Sequence, residues 1–486
     1  LYTDNWTADG FLRWAVSLNF LSHNRVTDTF KITSLGKKYS ASENGSIEER
    51  NILREAMLSY PPASRVMTLL ADSKKPMTKF AIGKQLGFVG EGGFTSYDED
   101  LMIDWIKNVN SDNEAKKIRT DIEGTSDKYA RMICGWLIKL NYVKKRSTKY
   151  INSADEQITG FQEYSLTGEG LHAINKANGS SKNKSRSKFI MWEFFATEGP
   201  RNSEQSREFI RTRRAYTLKS LKHHHTLSSI LEFLKRYGIY EEQETLLADL
   251  HKLITFGIRI SIKGNSIKLL DTINDFSIPN QTFTLAEADV TSEKVKNHFR
   301  RVTKLPERYL ELLDIAFDSK RNRDFEIVTA GLFKEIYGLE SIHLGGANKP
   351  DGVIYSDKFG IILDTKAYEK GYGKHISQID EMVRYIEDNR LRDTTRNPNK
   401  WWEKFGENIP EDNFYYLWVS GKFLPSFSEQ LMQTNYRTNV NGGGLEVKQL
   451  LLGADAVQKK KLDINSLPNY MDNKVIKLVP QLEEMS

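Results

Sequence analysis

Length, composition and charge exclude several classes of protein before any motif is considered. The chain has 486 residues, a formal net charge of +6 and one cysteine, Cys134. A chain of this length is too long to fold around one hydrophobic core, and it predicts roughly three or four domains. A single cysteine excludes a disulfide scaffold and a cysteine-built zinc site. No apolar run is long enough to predict a membrane span, and no signal peptide is evident.

Two stretches of the N-terminal half echo each other. Trp14–Phe20 is followed by Phe30–Gly36, and Trp136–Tyr142 is followed by Tyr164–Gly168. Each copy predicts a helix, a short break and a strand that ends in a turn rich in Thr and Gly. That order is typical of the second helix and wing of a winged helix-turn-helix.

Further helix and hairpin signals extend the pattern to three units. Before the second copy, Thr78 is predicted to N-cap a helix that Gly87 ends. A third unit is predicted from helices over 227–237 and 242–256 and a hairpin over 258–265 with a Gly-Asn turn. Repeated winged helices serve protein contacts as readily as DNA, so the repeats alone leave the ligand open.

The second unit is the best candidate for reading DNA bases. Its second helix is predicted to begin near Thr125 and Ser126, which are N-capping residues. Lys128 and Arg131 follow near its N-terminus, where a recognition helix meets base edges, and Glu123 lies just before it. Lys and Arg suit the acceptors of guanine, and Glu accepts from cytosine N4. The alternative is an ordinary solvated helix face.

A polar, basic stretch over 175–188 follows the second unit. It combines Gly-Ser-Ser with alternating Lys and Arg, a composition typical of a flexible linker. Lys182 and Lys184 are predicted to contact DNA phosphates without sequence preference. Arg211 and Arg213 continue the positive charge and are predicted to do the same.

A predicted hairpin in the C-terminal half carries the residues with the clearest chemistry. Its strands are expected over Val353–Tyr355 and Phe359–Leu363, which brings Asp351 beside Asp364 at one end of the sheet. Lys366 follows two residues later and is expected on the same face as Asp364, because side chains alternate along a strand.

Two carboxylates and an ammonium group match the needs of phosphodiester hydrolysis. Carboxylates can hold Mg²⁺ and leave sites for water and a phosphate. The lysine can orient the attacking water and offset phosphate charge as an ammonium group, or deprotonate the water as a neutral amine. Short matches of this kind also occur by chance at turns and strand edges. The buried strand that ends at Asp364 and the Gly345-Gly346 bend before Asp351 favour a site.

Glu326 is a third candidate acid. It lies in a predicted amphipathic helix and borders an apolar stripe, from which it would face the site. The alternative is a charge on the flank of a core helix. The stripe consists of Phe325, Val328, Leu332 and Ile336.

Longer runs of the chain carry a family resemblance. They are Asp4–Trp6 with Asp9–Trp14, Ser59–Pro62, Glu123–Met132, Arg211–Ala215, His343–Gly346 with Lys349–Gly352, Asp364–Tyr368 and Trp401–Trp402. Together they resemble the FokI family of type IIS restriction endonucleases over nearly the whole chain. The resemblance implies three winged helix-turn-helix-like α(+β) recognition subdomains and a C-terminal α/β PD-(D/E)XK nuclease domain with a central mixed sheet.

The same resemblance implies an order of domains. Residues 1–50 would form recognition subdomain 1, expected to be N-terminally incomplete, and 51–180 subdomain 2, the main base reader. Residues 181–275 would form subdomain 3, with a protein-contact role. A linker over 276–288 would lead to the nuclease domain over 289–486.

The activity implied is that of a type II site-specific deoxyribonuclease. It would bind an asymmetric GGATG-like site and cut both strands at a fixed distance outside it, using Mg²⁺, for which Mn²⁺ can substitute. Asp351 and Asp364 match the metal-binding acids of the family, with the carbonyl of Thr365 as a further ligand. Lys366 matches the catalytic lysine.

Double-stranded DNA is the implied partner. Glu123, Lys128 and Arg131 match base-contacting positions, and Trp6 matches a DNA contact of subdomain 1. A DNA methyltransferase of the same restriction-modification system is expected without direct contact. No membrane partner is implied, and the expected location is the bacterial cytoplasm.

Asp380 and Arg384 lie on a helix that resembles the family's dimerisation helix. Four residues apart, they could form an intrahelical pair worth about 0.2–0.5 kcal/mol. The resemblance implies instead that they meet across a two-fold interface in a transient homodimer of the nuclease domain. One nuclease site cuts one strand, so a double-strand cut needs a second domain.

Two other functions stay open from the residues alone. One is a sequence-specific DNA-binding regulator with an inactive nuclease fold, against which the intact Asp351, Asp364 and Lys366 argue. The other is a structure-selective DNA nuclease such as a junction resolvase, which would not need three winged helices.

Overall fold

The chain folds into two units. Unit 1 comprises Leu1–Phe94, Asp127–Thr148 and Phe161–Ala286, and unit 2 comprises Thr95–Ser126, Lys149–Gly160 and Glu287–Ser486. The domain boundaries expected from the sequence stay a prediction. The computed structural model describes residues 5–24, 27–89, 91, 96–109, 111–125, 127–153, 155–179, 184–195, 204–279, 283, 285, 287–346 and 348–479.

Helices dominate the first part of unit 1. Strands β1 and β2 form an antiparallel hairpin in which Leu21 lies opposite Ile32. The side chain of Thr78 accepts a hydrogen bond from the Ala81 amide and N-caps α5, as expected, but α5 already ends at Gly83. The elements are α1 (Asn5–Ser17), β1 (Leu21–Asn24), β2 (Thr29–Ile32), α2 (Ser34–Ala41), α3 (Ile47–Ser59), α4 (Pro61–Asp72), β3 (Met77–Thr78) and α5 (Lys79–Gly83).

The helix expected to begin near Thr125 begins later. Thr125 is the last residue of the preceding helix, and Ser126 lies outside the described residues. Asp127 has a φ of 45°, a left-handed conformation that turns the chain, and its side chain forms no capping hydrogen bond. The elements here are α6 (Glu99–Lys107), α7 (Asp112–Thr125), α8 (Lys128–Lys139), β4 (Val143–Ile151), β5 (Gln157–Leu166) and α9 (Gly168–Ala177).

The echo between the two N-terminal copies extends to individual hydrogen bonds. Thr33 N-caps α2, and its hydroxyl donates to the Asn19 carbonyl at 2.6 Å. Thr167 N-caps α9, and its hydroxyl donates to the Asn141 carbonyl at 2.7 Å. Asn19 and Asn141 have φ values of 60° and 61°. The two copies are therefore the same structural unit, as the sequence predicts.

The third unit is also found. Strands β6 and β7 form an antiparallel hairpin with Ile260 opposite Leu269, and Gly264 at its turn has a φ of 56°. Leu218, Ile230 and Leu250 are fully buried and join its three helices in one core. The elements are α10 (Glu204–Ser220), α11 (Leu227–Lys235), α12 (Gln243–Phe256), β6 (Ile260–Lys263) and β7 (Ser266–Leu269).

A six-stranded mixed sheet forms the centre of unit 2. Its strand order is β13-β12-β11-β10-β9-β8, with antiparallel pairing from β8 to β10 and parallel pairing from β10 to β13. The elements are α13 (Glu287–Val302), α14 (Glu307–Leu310), α15 (Leu312–Ile315), α16 (Asn322–Glu335), β8 (Glu340–His343), β9 (Gly352–Tyr355), β10 (Gly360–Lys366), α17 (Ile376–Leu391), β11 (Phe414–Ser420), α18 (Phe427–Thr438), β12 (Gly442–Glu446), α19 (Val447–Gln458) and β13 (Lys474–Val475).

The sheet is covered on both faces, because its buried strands alternate between two cores. Ile361 and Leu363 of β10 belong to one core, together with Phe325 of α16. Ile362 belongs to the other, together with Met382 of α17. This arrangement confirms the expected α/β nuclease-type domain and places the ends of β9 and β10 between helices.

Helices α6 and α7 belong to unit 2. The Tyr97 hydroxyl donates to Asp324 at 2.9 Å, and Asp104 forms an ion pair with Lys334. Helix α6 packs on β8 and α16. None of the described helices is long and apolar enough to cross a membrane.

Candidate active site

The antiparallel pair of β9 and β10 brings the two predicted acids together. Gly352 lies opposite Leu363, so the preceding Asp351 and the following Asp364 come side by side at the end of the pair. Gly345 and Gly346 have φ values of 53° and 89°, the left-handed backbone that glycine tolerates. The bend they make returns the chain to the sheet just before Asp351.

Asp364 is held by two donors. Its carboxylate lies 2.8 Å from the Lys366 Nζ atom. It also accepts a hydrogen bond from the Trp418 indole at 3.0 Å, from the position opposite on strand β11. Asp364 is 5% exposed. The expected shared face of Asp364 and Lys366 is therefore present in the structure.

Asp351 is held by the backbone and side chain of one residue. Its Oδ2 atom accepts hydrogen bonds from the Thr365 amide at 2.7 Å and the Thr365 hydroxyl at 2.9 Å. Its Oδ1 atom has no hydrogen-bond donor among the described residues. That oxygen is therefore free to bind a cation. The predicted role of the Thr365 carbonyl as a ligand stays a prediction.

Negative charge is crowded at this end of the sheet. Loss of hydration, then the charges of Asp364 and Glu326, raise the pKa of Asp351 well above its ordinary value. Burial alone would lower the pKa of Lys366, but Asp364 and Asp351 outweigh it and raise the pKa. Lys366 therefore stays a protonated hydrogen-bond donor. A single ammonium does not offset the acids, which makes the site favourable for a divalent cation.

The donor set fits a hard divalent ion. Two carboxylates with room for water match the oxygen coordination that Mg²⁺ prefers. Within the described part of the chain, no group of three or more His, Cys, Asp or Glu side chains is arranged to hold a metal ion. A metal at Asp351 and Asp364 would therefore complete its coordination with water, backbone and substrate oxygens.

Glu326 does not hydrogen-bond to either aspartate. Its carboxylate lies 2.9 Å from the His343 Nε2 atom, and its charge reaches Asp351, whose pKa it helps to raise. The predicted stripe of Phe325, Val328 and Leu332 beside it is buried.

The predicted base readers of unit 1 are exposed. Lys128 and Arg131 lie in the first turns of α8, with exposed side chains that have no ion-pair partner among the described residues. Glu123 lies near the end of α7 in unit 2 and is half-buried. Trp6 lies in α1, but its side chain is outside the described residues.

The four residues that were predicted to contact phosphates lie in different surroundings. Lys184 is exposed and lines an open cleft of about 750 Å³. Lys182 lies outside the described residues. Arg211 lies with its guanidinium 4.7 Å from the centre of the Trp192 ring. The prediction for Arg213 needs correction: it is buried and donates to Asp249 at 2.6 Å, so it cannot reach a phosphate.

Asp380 and Arg384 do not pair within their helix. Asp380 lies 2.6 Å from Arg437 of α18, and Arg384 lies 3.5 Å from Glu381. The intrahelical alternative is therefore wrong for the structure of one chain. All of these groups are partly exposed, so their role across a dimer stays a prediction.

Two supporting residues were not expected from the sequence. Trp418 lies in an apolar strand more than fifty positions from Asp364, and only the parallel register of β10 and β11 brings them together. His343 lies in the His-Leu-Gly-Gly run, yet nothing in the spacing marks it as a partner of Glu326. The feature of the sequence that drew attention to this segment was the pair Gly345-Gly346, which follows His343 and Leu344.

Comparison with protein-family models covers most of the chain. The cleavage domain of FokI matches residues 289–477. Subdomains 1 and 2 of the FokI recognition domain match residues 1–42 and 49–182, and the FokI D3 domain matches residues 201–265.

Two curated relatives are similar over nearly the full chain. The type II restriction enzyme FokI of Planomicrobium okeanokoites is 40% identical over 483 residues, which cover 97% of this chain and 82% of that protein. The type II restriction enzyme StsI of Streptococcus sanguinis is 32% identical over 481 residues, which cover 94% and 78%.

Solved structures give the same result. The structure of restriction endonuclease FokI has a TM-score of 0.88 at 40% identity and covers 98% of this chain and 84% of that one. The structure of FokI bound to DNA also has a TM-score of 0.88 and covers 98% and 83%. Fold, site and matches define a type II restriction enzyme, a site-specific deoxyribonuclease. Within that class, the chain belongs to the FokI family of type IIS restriction enzymes.

Proposed function

We propose that this enzyme binds an asymmetric, GGATG-like DNA site and cuts both strands at a fixed distance outside it after its nuclease domains dimerise. The observation that carries the proposal is the cluster of Asp351, Asp364 and Lys366 at one end of a mixed sheet. Type II restriction nucleases generally use divalent metal ions. We propose Mg²⁺ here, with Mn²⁺ able to substitute.

The chain's own residues have distinct roles in the proposed hydrolysis. Asp351 and Asp364 would hold the metal ion, which supplies a polarised phosphate and an activated water. Lys366, protonated and fixed beside Asp364, orients the attacking water and offsets charge that develops on the phosphate. The water gives up one proton to solvent as its oxygen bonds to phosphorus, the bond from phosphorus to the leaving sugar oxygen breaks, and that oxygen takes up one proton from solvent.

Sequence reading is assigned to separate side chains. Lys128 and Arg131, which are exposed at the start of α8, are proposed as major-groove readers, and Glu123 is proposed as a further base contact. The structure of a relative bound to DNA supports double-stranded DNA as the partner. The proposed setting is the bacterial cytoplasm, with a methyltransferase that modifies the same site without contacting this chain.

A digest of mixed-sequence plasmid DNA tests the proposal. With Mg²⁺, the purified protein should give discrete fragments whose mapped ends lie at one offset from a common asymmetric sequence. Ca²⁺ should allow binding with little cutting, because its longer and looser coordination places the water poorly. Absence of cutting, or cutting only at branched DNA, would contradict the proposal.

Mixing variants tests the dimer. Asp380→Arg and Arg384→Asp should each suppress double-strand cutting, because like charges across an interface cost several kcal/mol. Their mixture should restore it. Arg437→Ala, which breaks only the pair within one chain, serves as the control and should have a mild effect. The dimer model would be contradicted if the cleavage rate rose linearly with enzyme concentration and the mixture of variants restored no double-strand cutting.

A further inference from the structure

A cluster of aromatic rings lies at the same end of the sheet as the candidate active site. Tyr368 follows Lys366 by two residues, and its ring lies 5.5 Å from that of His375, with 29° between the ring planes. The ring of Tyr372 lies 5.3 Å from the His375 ring and is almost parallel to it, at 13°. Tyr372 is fully buried, whereas Tyr368 is 39% exposed and His375 is also exposed. Together, Tyr368, Tyr372 and His375 form an aromatic ledge that presents two rings to solvent.

Backbone pairing fixes the ledge relative to Asp364 and Lys366. Lys366 is the last residue of β10 that pairs with β11. Beyond that pair the two chains meet again, because Tyr372 forms a parallel bridge with Phe423 and its amide donates to the Lys422 carbonyl at 2.8 Å. The ledge therefore extends from the carboxyl ends of β10 and β11, the end of the sheet at which Asp364 and Lys366 lie.

Side-chain packing also joins the ledge to the site. The Trp418 indole, which donates to Asp364, meets the Phe427 ring edge-on, with 5.7 Å between ring centres. The Phe427 ring in turn lies 5.6 Å from that of Tyr372. Both Trp418 and Phe427 are fully buried. Two buried rings thus connect Asp364 to the ledge, which gives the ledge a defined position beside the site.

A buried amide holds the ledge in place from below. The Gln430 side chain donates to the Tyr372 hydroxyl at 2.8 Å and accepts from the His375 backbone amide at 2.9 Å. Gln430 is fully buried. The His375 ring and the Tyr368 hydroxyl, by contrast, form no hydrogen bond with another residue that the structure describes. Their polar atoms are therefore available to a ligand.

We infer that the aromatic ledge holds the sugar-phosphate backbone of DNA beside the bond that is cut, with His375 and Tyr368 as direct contacts. The inference deepens the proposed function and rests on it. An enzyme that cuts outside the sequence it reads has to hold DNA at the cut without reading bases. Hydrogen bonds to phosphate oxygens position DNA without reading it, and aromatic faces bind nucleic acid with little sequence preference.

The ledge offers two kinds of contact to the backbone. A ring nitrogen of His375 and the Tyr368 hydroxyl would donate to phosphate oxygens, while the exposed ring surface packs against deoxyribose. The alternative is a structural role, in which the ledge supports only the start of α17, where His375 is the N-cap residue. A structural role would change stability but would not make cleavage depend on one particular phosphate.

The first test measures cleavage by His375→Ala and Tyr368→Phe in the full chain, with Mg²⁺ and with enzyme in excess over a duplex that carries the site. Each variant should cut about 10–100-fold more slowly, the loss expected when one hydrogen bond to a charged group is removed. Specific binding in Ca²⁺, measured by gel shift, should be unchanged. Lys358→Ala, in the exposed turn at the other end of the hairpin, is the control and should cut normally.

Neutral backbone linkages separate a DNA contact from a structural role. Duplexes that carry a single methylphosphonate linkage, placed in turn at each phosphate on either side of the cut, remove one charge at a time. At the phosphate that His375 contacts, the neutral linkage should slow the wild type and have little further effect on His375→Ala, because both changes remove the same contact. A defect in folding or dimerisation would instead slow every duplex by the same factor.

A conservative variant completes the experiment. His375→Gln keeps an N–H donor and should recover part of the cleavage rate on the unmodified duplex. The inference would be overturned if His375→Ala and Tyr368→Phe cut at the wild-type rate. It would also be overturned if every neutral linkage slowed His375→Ala as much as it slowed the wild type. A wild-type protein that cuts no duplex would instead overturn the proposed function.

Discussion

Two carboxylates, Asp249 in unit 1 and Asp351 in unit 2, lie in opposite electrostatic surroundings. Asp249 is buried and accepts from Arg213 at 2.6 Å and from Arg214 at 3.0 Å. Burial alone would raise the pKa of Asp249, but the two guanidinium groups outweigh it and lower the pKa. For Asp351, burial and the neighbouring acids act together and raise the pKa.

The difference separates a structural charge from a functional one. Around Asp249, the guanidinium groups of Arg213 and Arg214 pair with three carboxylates, so the charged groups of this cluster already have partners without a ligand; the carboxylates are those of Asp249, Glu241 and Glu91. Where acids outnumber cations, as around Asp351, the folded protein keeps a charge imbalance that a bound cation would relieve. Such imbalances are concentrated at functional sites. Replacing members of each cluster should therefore have opposite consequences for activity and stability.

The largest expected effect is on cleavage. Asp351→Ala, Asp364→Ala or Lys366→Ala should slow cutting by at least about 1,000-fold, because each removes several kcal/mol of transition-state charge stabilisation. Specific binding, measured by gel shift in Ca²⁺, should be retained because reading lies elsewhere. Asp357→Ala, in the exposed turn of the same hairpin, is the control and should cut normally. Retained cleavage by purified Asp364→Ala protein would refute the site.

The next largest effect is on stability. Asp249→Asn should lower the free energy of unfolding by about 1–3 kcal/mol, because the buried Arg213 and Arg214 lose the charged acceptor that they share and keep only their second partners, Glu241 and Glu91. Urea unfolding of the full chain measures the loss. Asp275→Asn, at an exposed carboxylate, should change stability by less than about 0.5 kcal/mol. If Asp249→Asn and Asp275→Asn had the same free energy of unfolding, the ion pairs of Asp249 would not contribute to the stability of unit 1.

Asp351→Asn should have the opposite effect on stability, in a pH-dependent way. The raised pKa of Asp351 means that the folded state binds its proton more tightly than the unfolded state. Its ionisation therefore destabilises the wild type as pH rises above the ordinary value of about 3.9. The asparagine variant should melt higher than the wild type at pH 8, and the gap should shrink towards pH 4.

Adding Mg²⁺ sharpens that comparison. A ligand that binds only the folded protein raises its melting temperature. Mg²⁺ should therefore stabilise the wild type at pH 8 and have a much smaller effect on Asp351→Asn. A variant that melts below the wild type at every pH would show that the Thr365 hydrogen bonds, rather than charge crowding, dominate at Asp351.

The sequence predicted the parts of the fold that depend on local patterns. Thr78 begins a helix, as predicted, because its hydroxyl can satisfy an amide within its own turn, a signal contained in a few residues. The hairpin that joins Asp351 and Asp364 is likewise local, since its two strands are separated by a short turn. Such features can be inferred without knowing the rest of the chain.

What could not be predicted depends on long-range packing. Arg213 sits in a basic run that resembles a phosphate-binding segment, and only the packing of α10 on α12 shows that Asp249 neutralises it. Arg437 lies more than fifty residues from Asp380 along the chain. The sequence therefore offered the nearer Arg384 as the partner of Asp380, and only the folded structure shows that Arg437 pairs with it. Charge in a sequence gives the sign of a surface but not which charges are already paired.

The smallest expected effects concern DNA reading, and they compare two exposed cations. Arg131→Ala should cost about 1–3 kcal/mol at one base pair and relax specificity at that position. Lys184→Ala should weaken binding to all sequences alike and reduce the slope of log affinity against log salt by about one unit, because it releases about one fewer counterion.

Binding of each variant to a set of single-base-pair substituted duplexes, at several salt concentrations, distinguishes the two roles. Arg131 and Lys184 are both exposed cations, so a purely electrostatic role for both would give the same uniform loss. The assignment of α8 as the recognition helix requires that only Arg131→Ala changes the ranking of sites. If Arg131→Ala weakened every duplex equally, α8 would be a backbone contact, and the base-reading residues would have to lie on another element.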